Sequence, residues 1–230
     1  MNFFDTDFHC HVLPGIDDGA ENVSVSLALI QKQMSQGVRH IVATPHFRKH
    51  IMSVDDFLER RQAAYEEVMQ HAFPGMPPIY LSAEIALEHN LCEMKGIERL
   101  ACVEMNTLLL EMPFSGSFGK WMVEEIEEIG YRTRMQIVIA HIDRYVGLFS
   151  DSELADILSI PDMIFQVNLS AFSERKPKKL LKRLINDEYP ILFGTDCHNL
   201  SSRKPNFDVM AKPLRKYEPN PRVERLLQGC

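Results

Sequence analysis

The sequence predicts an α/β protein, a distorted (β/α)7 barrel of the TIM type with one unit fewer, and three observations carry that reading. Seven short, nearly continuous apolar segments recur along the 230 residues. Runs of that length suit strands of a parallel sheet covered on both faces. Polar or amphipathic stretches of helical period separate them, as in repeated βα units. Charged and imidazole-bearing residues then fall at the C-terminal ends of the segments, the end at which α/β barrels build their sites.

In chain order the segments read FFDTDFH (3–9), RHIVATPH (39–46), PIYLSAEI (78–85), NTLLLEM (106–112), MQIVIAHI (135–142), MIFQVNLS (163–170) and PILFGTD (190–196). Between them the sequence predicts helices over 22–36, 54–71, 119–129, 151–159 and 178–187. The first places Val23, Leu27, Ile30 and Met34 at helical spacing and runs into Gly37, a residue type that ends helices because it enters the left-handed region without a Cβ penalty. Gly130 is expected to stop the third in the same way. No shift in composition marks a second domain, and this length suits one domain over 1–230 with a full core.

Composition narrows the function. Against 25 basic residues stand 32 acidic ones, a net charge of −7. The longest basic run, KPKKLLKR (176–183), reads as the solvated face of a helix, so a nucleic-acid partner is not expected. The start MNFFDTDF lacks the basic and apolar regions of a signal peptide, and no apolar run approaches a membrane span. The expectation is a soluble cytoplasmic protein with no membrane insertion. The five cysteines, Cys10, Cys92, Cys102, Cys197 and Cys230, are odd in number and show no C-x-x-C spacing, which speaks against a disulfide framework.

The chemistry starts in DFHCHVLPGIDDGA, residues 7–20, where His9 and His11 sit two apart at the end of a strand. Residues i and i+2 of a strand point to one side, so two imidazoles project together and Cys10 points away. Imidazole suits Zn, Mn, Fe and similar ions, and the turn at Pro14-Gly15 leads to Asp17-Asp18-Gly19, which puts a carboxylate near the same strand end as an oxygen donor. His46, Glu84, Glu111, His141, and Asp196 with His198 end the second, third, fourth, fifth and seventh strands; Gln166 and Asn168 end the sixth. A lone strand-end histidine or glutamate is more often a hydrogen-bonded surface group than a ligand. Six strands ending this way call for a common cause. His40, His50, His71 and His89 fall elsewhere and read as surface residues.

These residues resemble the PHP (polymerase and histidinol phosphatase) superfamily, and more closely the metal-dependent protein-tyrosine phosphatases of bacterial capsule and exopolysaccharide clusters, the CpsB/YwqE group. D-x-H-C-H-x-L-P-G-I-D-D-G-A is the most specific motif; TPHF (44–47), SAEI (82–85), LLLEMPF (108–114), AHIDRY (140–145), FQVN (165–168) and GTDCHNLSSR (194–203) follow in the family's order. Asp143 departs from the pattern, standing where Glu is common before Arg-Tyr.

The resemblance implies the PHP fold and three divalent ions, usually Mn²⁺, with Fe or Zn accepted in related sites. His9, His11, Glu84 and Asp196 would take the first; Glu84 would bridge to a second held by Glu111 and His141; Asp18, His46 and His198 would take the third. Three such ions bring about +6 against about −4 from the four carboxylates, a surplus that attracts a phosphomonoester dianion. Arg144 and Arg203 would hold its oxygens, as a planar guanidinium does better than an ammonium. The implied substrate is phosphotyrosine on a bacterial tyrosine kinase that regulates polysaccharide synthesis. A small-molecule phosphatase such as histidinol-phosphate phosphatase, or a non-catalytic metal-dependent regulator, is the alternative, and a homo-oligomer is left open. Cys197 and Arg203 also show the C-x₅-R spacing of thiolate phosphatases. No glycine lies between them, and alternation turns Cys197 away from Asp196 and His198, so a thiolate mechanism is not expected.

Overall fold

A computed structural model describes residues 1–114, 118–210 and 217–228. Every apolar segment read from the sequence forms strand, and all the strand pairs within the sheets are parallel. The elements begin β1 (Thr6–Cys10), α1 (Val23–Ser35), β2 (His40–Ala43), β3 (His46–Phe47), α2 (Val54–Gln70), β4 (Ile79–Leu81) and β5 (Glu84–Ala86). They continue β6 (Thr107–Glu111), α3 (Lys120–Thr133), β7 (Gln136–Ile139), α4 (Asp151–Ser159), β8 (Ile164–Asn168), α5 (Arg175–Asn186), β9 (Ile191–Gly194) and α6 (Pro221–Gln228).

The second and third apolar segments are each divided, giving β2 with β3 and β4 with β5. The strands fall into two sheets, β1-β2-β4 and β3-β5-β6-β7-β8-β9. Pro45 lies at the break and has no N–H to continue the ladder, although its carbonyl accepts from Glu84 N at 3.0 Å. Register is unchanged across the gap: Ile41 pairs with Ile79 before it and His46 with Glu84 after it, the same offset. On the other side β1 meets the segment after β9 through a parallel bridge between Cys10 and Cys197, with His11 N donating to Cys197 O at 3.0 Å and Asp196 N to His9 O at 2.8 Å. Gly194 permits this approach, since a Cβ there would stand 2.5 Å from that of His9.

Central strands are buried along their whole length; β8 has no exposed position, and neither does β1. That is the mark of a sheet covered on both faces. Side chains cap the starts of α1, α2 and α4: Asn22 accepts from Val25 N, Ser53 from Asp56 N, and Ser150 with Glu153 forms a capping box. Two helix bounds differ from the sequence reading. α3 runs through Gly130 and ends at Arg134, whose φ of 57° is left-handed. Gly130 instead lies against β7, where an added Cβ would meet the Ile137 side chain at 3.5 Å. α5 starts at Arg175 rather than at 178, because Pro177 falls in the first turn, where no N–H partner is needed. Cys10, Cys92, Cys102 and Cys197 are free thiols, and Cys230 lies outside the described residues.

Candidate metal centre

His9 lies in β1, His11 just past it, Glu111 closes β6, and His141, Asp196 and His198 follow β7 and β9 directly. His46 and Glu84 open the short second halves β3 and β5, one or more residues before the strand ends rather than at them. All of these side chains converge on one mouth. Glu84 sits at its centre, 1% exposed. Its Oε2 is 3.2 Å from His9 Nε2, 3.3 Å from His11 Nε2 and 3.0 Å from His46 Nδ1. Its Oε1 is 2.7 Å from His141 Nε2, which also stands 3.3 Å from Glu111 Oε1. Asp196 Oδ1 is 3.5 Å from His11 Nε2 and 3.7 Å from His9 Nε2. Asp18, exposed on its loop, reaches His46 Nε2 at 3.3 Å and His198 Nε2 at 3.4 Å.

Residues behind the mouth fix which ring nitrogen faces inward. Asp17 and the Gln166 amide oxygen can only accept, so His11 Nδ1–H donates to Asp17 Oδ2 at 2.7 Å and His9 Nδ1–H to Gln166 Oε1 at 2.9 Å. His198 Nδ1–H donates to the Asp196 carbonyl at 3.1 Å. Each arrangement leaves Nε2 as a lone pair turned into the cluster, the second-layer device found around ligating histidines. Asn168 Nδ2 donates to Asp196 Oδ2 at 3.0 Å, so β8, the sixth apolar segment, supports that carboxylate. Asp7, fully buried below His9, accepts from Gln33, from the Thr195 N–H and from the Thr195 hydroxyl at 2.6 Å, tying β1 to β9. His141 at φ 29° and Asp196 at φ 51° hold backbone conformations that non-glycine residues seldom adopt, and such strain concentrates at functional sites.

The electrostatics are those of a site shaped for cations. Burial alone would lower the His11 pKa, yet hydrogen bonds to the carboxylates of Asp17, Asp196 and Glu84 carry it well above the ordinary imidazole value. His141 is likewise opposed by burial but raised to about 9 by Glu111 and Glu84. Burial opposes ionisation of Asp196, and the neighbouring His9 and His11 still hold its carboxyl well below the usual range. His198 goes the other way, down to about 4, through burial and repulsion by His11. Carboxylates and imidazoles packed this closely pull their neighbours' proton affinities in opposite directions.

Donor atoms close enough to share an ion fall into overlapping groups: His9, His11 and Asp196; His11, His46 and His198; Asp17, Asp18 and His46; His46, Glu84 and Glu111, the atoms of each within 4.8 Å of one another. The set tests well against a divalent metal. Buried Glu84 Oε2, His198 Nε2 and His141 Nδ1 have no hydrogen-bond partner among the described residues. His9 Nε2 and His11 Nε2 stand 3.2 Å apart with both Nδ1 positions engaged elsewhere. Buried N and O atoms left without partners, such as Glu84 Oε2 and His198 Nε2 within the cluster, are what a first-row divalent ion coordinates; His141 Nδ1 lies on the ring edge away from Glu84.

Arg144 and Arg203 approach Asp196 from two sides, Nη1 at 3.4 Å from Oδ2 and Nη2 at 2.7 Å from Oδ1. Both stay partly exposed at the rim. Cys197 is fully buried on the opposite face, where Gln33 Nε2 of α1 donates to its Sγ at 3.2 Å. His40, His50, His71 and His89 lie away from the cluster, His89 stacking on Trp121. The sequence reading missed Asp17, Asp7 and the tautomer-setting role of Gln166. Asp17 had a signal, its place beside Asp18 in the same turn, but nothing in sequence says which of two adjacent aspartates faces the histidine.

Fold and site together define a parallel α/β protein with a buried histidine and carboxylate cluster of metal-binding type at its strand ends. The chain belongs to the capsular polysaccharide synthesis CpsB/CapC family, whose model matches residues 5–229. It is 28% identical over 228 residues to the tyrosine-protein phosphatase CpsB of Streptococcus pneumoniae, covering 90% of this chain and 89% of that one. To the tyrosine-protein phosphatase YwqE of Bacillus subtilis it is 25% identical over 209 residues, 86% of this chain and 78% of that one. In three dimensions it is similar to a solved chain from work on B. subtilis YwqE and S. pneumoniae CpsB, described as unique metal-dependent tyrosine phosphatases. The TM-score is 0.76 at 20% identity, with 97% of this chain and 91% of that chain covered.

Proposed function

We propose that the chain is a metal-dependent protein-tyrosine phosphatase, one PHP-type domain over 1–230, acting in the cytoplasm on a tyrosine kinase that regulates capsular or exopolysaccharide synthesis. The observation that carries this reading is Glu84, a buried carboxylate with an unpartnered oxygen surrounded by three imidazole nitrogens within 3.3 Å. The names of the relatives and the family's place in capsule synthesis support the substrate class. For the fold, the continuous register from β2 to β3 and the bridge from β1 to the end of β9 support a closed, distorted (β/α)7 barrel.

His9, His11, Glu84 and Asp196 would hold one ion, Glu84, Glu111 and His141 a second, and Asp18, His46 and His198 a third, Mn²⁺ fitting the mixed N/O set and Fe or Zn also admitted by it. Ions bound there supply Lewis acidity and a water whose pKa is lowered towards neutrality. The chain does the rest. Asp17 and Gln166 keep the His11 and His9 rings in one orientation, and Arg144 and Arg203, each already donating to Asp196, retain further N–H groups for the equatorial oxygens of a phosphoryl group in flight.

The test is metal content of the purified protein together with hydrolysis of a phosphotyrosyl peptide and of histidinol phosphate, before and after chelation. Bound divalent metal, preference for the peptide, and loss of activity on chelation with recovery on adding Mn²⁺ are the expected results. Full activity in metal-free protein would overturn the metal reading, and preference for histidinol phosphate would overturn the substrate.

A further inference from the structure

A groove leads out of the mouth. A hollow of about 590 Å³ lies against Phe114 and Arg144 at the rim and reaches Arg175 and Lys176 at the start of α5. A second, of about 470 Å³, opens between the first turns of α4 and α5, with Phe149, Leu154 and Leu180 below and Lys179 and Arg183 along its edge. Val146 and Lys176 line both, so the two hollows adjoin. The result is a trough with an apolar floor and a cationic edge, starting where the phosphoryl site ends.

Its charge is out of character with the rest of the molecule. In a protein of net charge −7, α5 carries six basic residues and no acidic one. Among the described residues only Arg183 of these has an ion-pair partner, Asp187 at 3.5 Å, on a side chain that is 50% exposed. Asp143, Glu174 and Asp151 line the groove, three carboxylates against the five cations Arg144, Arg175, Lys176, Lys179 and Arg183. Unpaired like charges on one helix repel, and an anionic partner relieves them. A membrane surface is a poor candidate, since the apolar residues of α5, Leu180, Leu181 and Leu184, are buried against the core and leave no face to insert. At the mouth Phe114, 39% exposed, lies 4.4 Å over the Arg144 guanidinium and 5.5 Å from the His141 ring, an aromatic wall beside the reacting position.

Resting on the phosphatase reading above, we propose that this groove binds the polypeptide that flanks the phosphotyrosine and selects segments rich in Asp and Glu, the phenolic ring lying against Phe114. The enzyme would then be sequence-selective through charge on α5, at a distance from the reacting atoms.

The experiment compares kcat/KM of the metal-loaded enzyme on a phosphotyrosyl peptide with acidic flanks, the same peptide with those residues changed to Ser and Asn, and phenyl phosphate, for wild type and for Lys179→Glu/Arg183→Glu. Wild type is expected to favour the acidic peptide about tenfold at low ionic strength, with the advantage shrinking as salt is added. The double variant, checked for an unchanged melting curve, should lose that preference while keeping phenyl phosphate hydrolysis within about twofold, the scatter of a surface change. Equal use of both peptides by wild type, or a preference surviving in the double variant, overturns the proposal. Absence of any hydrolysis, phenyl phosphate included, would instead count against the phosphatase reading. The groove is then judged by fluorescence anisotropy of the unphosphorylated acidic peptide, where wild-type binding that the double variant loses supports it and equal binding overturns it. Selective binding to phosphatidylserine vesicles without peptide preference would assign the groove to lipid and also overturn it.

Discussion

The two faces of the same pair of strand segments could hardly differ more. Residues 9–11 and 196–198 run side by side, joined by the Cys10–Cys197 bridge. On one face His9, His11, Asp196 and His198 crowd nitrogen and oxygen atoms into contact with Glu84, several of them without partners. On the other, Cys10 and Cys197 pack against α1, Gln33 donating to the Cys197 sulfur and Cys10 donating weakly to Val42 O. Burial is the same on both faces, complete or nearly so. What differs is the chemistry gathered there. The thiols are held by Gln33 and Val42, with Gln33 Oε1 the one atom on that side left without a partner among the described residues, while the other face collects imidazole and carboxylate atoms of metal-ligand type. Alternation along a strand is thus enough to separate structure from chemistry at adjacent residues.

The largest expected effect comes from emptying the imidazole face. Glu84→Ala or His9→Ala should abolish phosphatase activity, by at least about three decades, while circular dichroism stays that of a folded protein. The fold rests on the buried apolar strands, and the chemistry needs the carboxylate at the centre. Near wild-type turnover in a metal-depleted Glu84→Ala protein would break the comparison outright.

Next come the arginines, which border the imidazole face without belonging to it. Removing charge-assisted bonds to a transferring phosphoryl group costs about 2–4 kcal/mol of barrier, or two to three decades in rate. Arg203→Ala should show the larger loss, since its guanidinium is the closer to Asp196, and Arg144→Ala the smaller. Metal content measured beside activity separates this from ligand loss: both variants should keep their metal. A variant that lost its ions would move that arginine's role from phosphate to structure.

Much of this was legible from residue order, and the gaps have physical causes. D-F-H-C-H shows its two faces directly, because a strand's period of two is a local property. Glu111, closing β6, and His141, just past β7, lie where the rule about strand ends puts them, whereas Glu84 opens β5. Asp17 was not legible: in a turn no period assigns sides, and the orientation that puts Asp17 on His11 Nδ1 and leaves Asp18 facing His46 is set by Gly19, where a Cβ would stand 2.4 Å from the His11 carbonyl. Gly130 misled for a similar reason. A glycine can end a helix or admit a neighbour, and only the packing of Ile137 shows that it does the second.

Asp17 gives the third prediction. It holds His11 from behind, with its carboxyl kept far into the ionised range by that contact despite its burial. Asp17→Asn keeps the size but can present an N–H to the ring nitrogen, so His11 would lose its fixed tautomer. Second-layer changes of this kind weaken metal binding about 10–100-fold. A metal titration with a competing chelator should show that shift, and excess Mn²⁺ should restore most of the activity. An unchanged affinity would mean that His11 is oriented by the backbone alone.

The smallest effect is expected at the thiol face, and it decides between two mechanisms that share a substrate. A thiolate phosphatase places its cysteine and arginine around one phosphate and lends it the backbone N–H groups between them. Here Arg203 lies on Asp196, on the imidazole side, while Cys197 Sγ faces Gln33 on the other. Three of the five intervening N–H groups are also engaged within the loop: those of His198 and Asn199 donate to Arg203 O at 2.9 and 3.2 Å and that of Ser201 to Asn199 Oδ1 at 2.9 Å, which also accepts from Arg203 N at 3.1 Å. None of these is free to cradle an anion. Cys197→Ser, whose hydroxyl can take the same bond from Gln33, should keep activity within about twofold and lower stability by about 1 kcal/mol. Alkylating reagents should inhibit little, because the thiol has no exposed surface. A folded, fully metallated Cys197→Ser protein with no activity, or a phosphocysteine trapped during turnover, would transfer the chemistry to the face that the structure shows as closed.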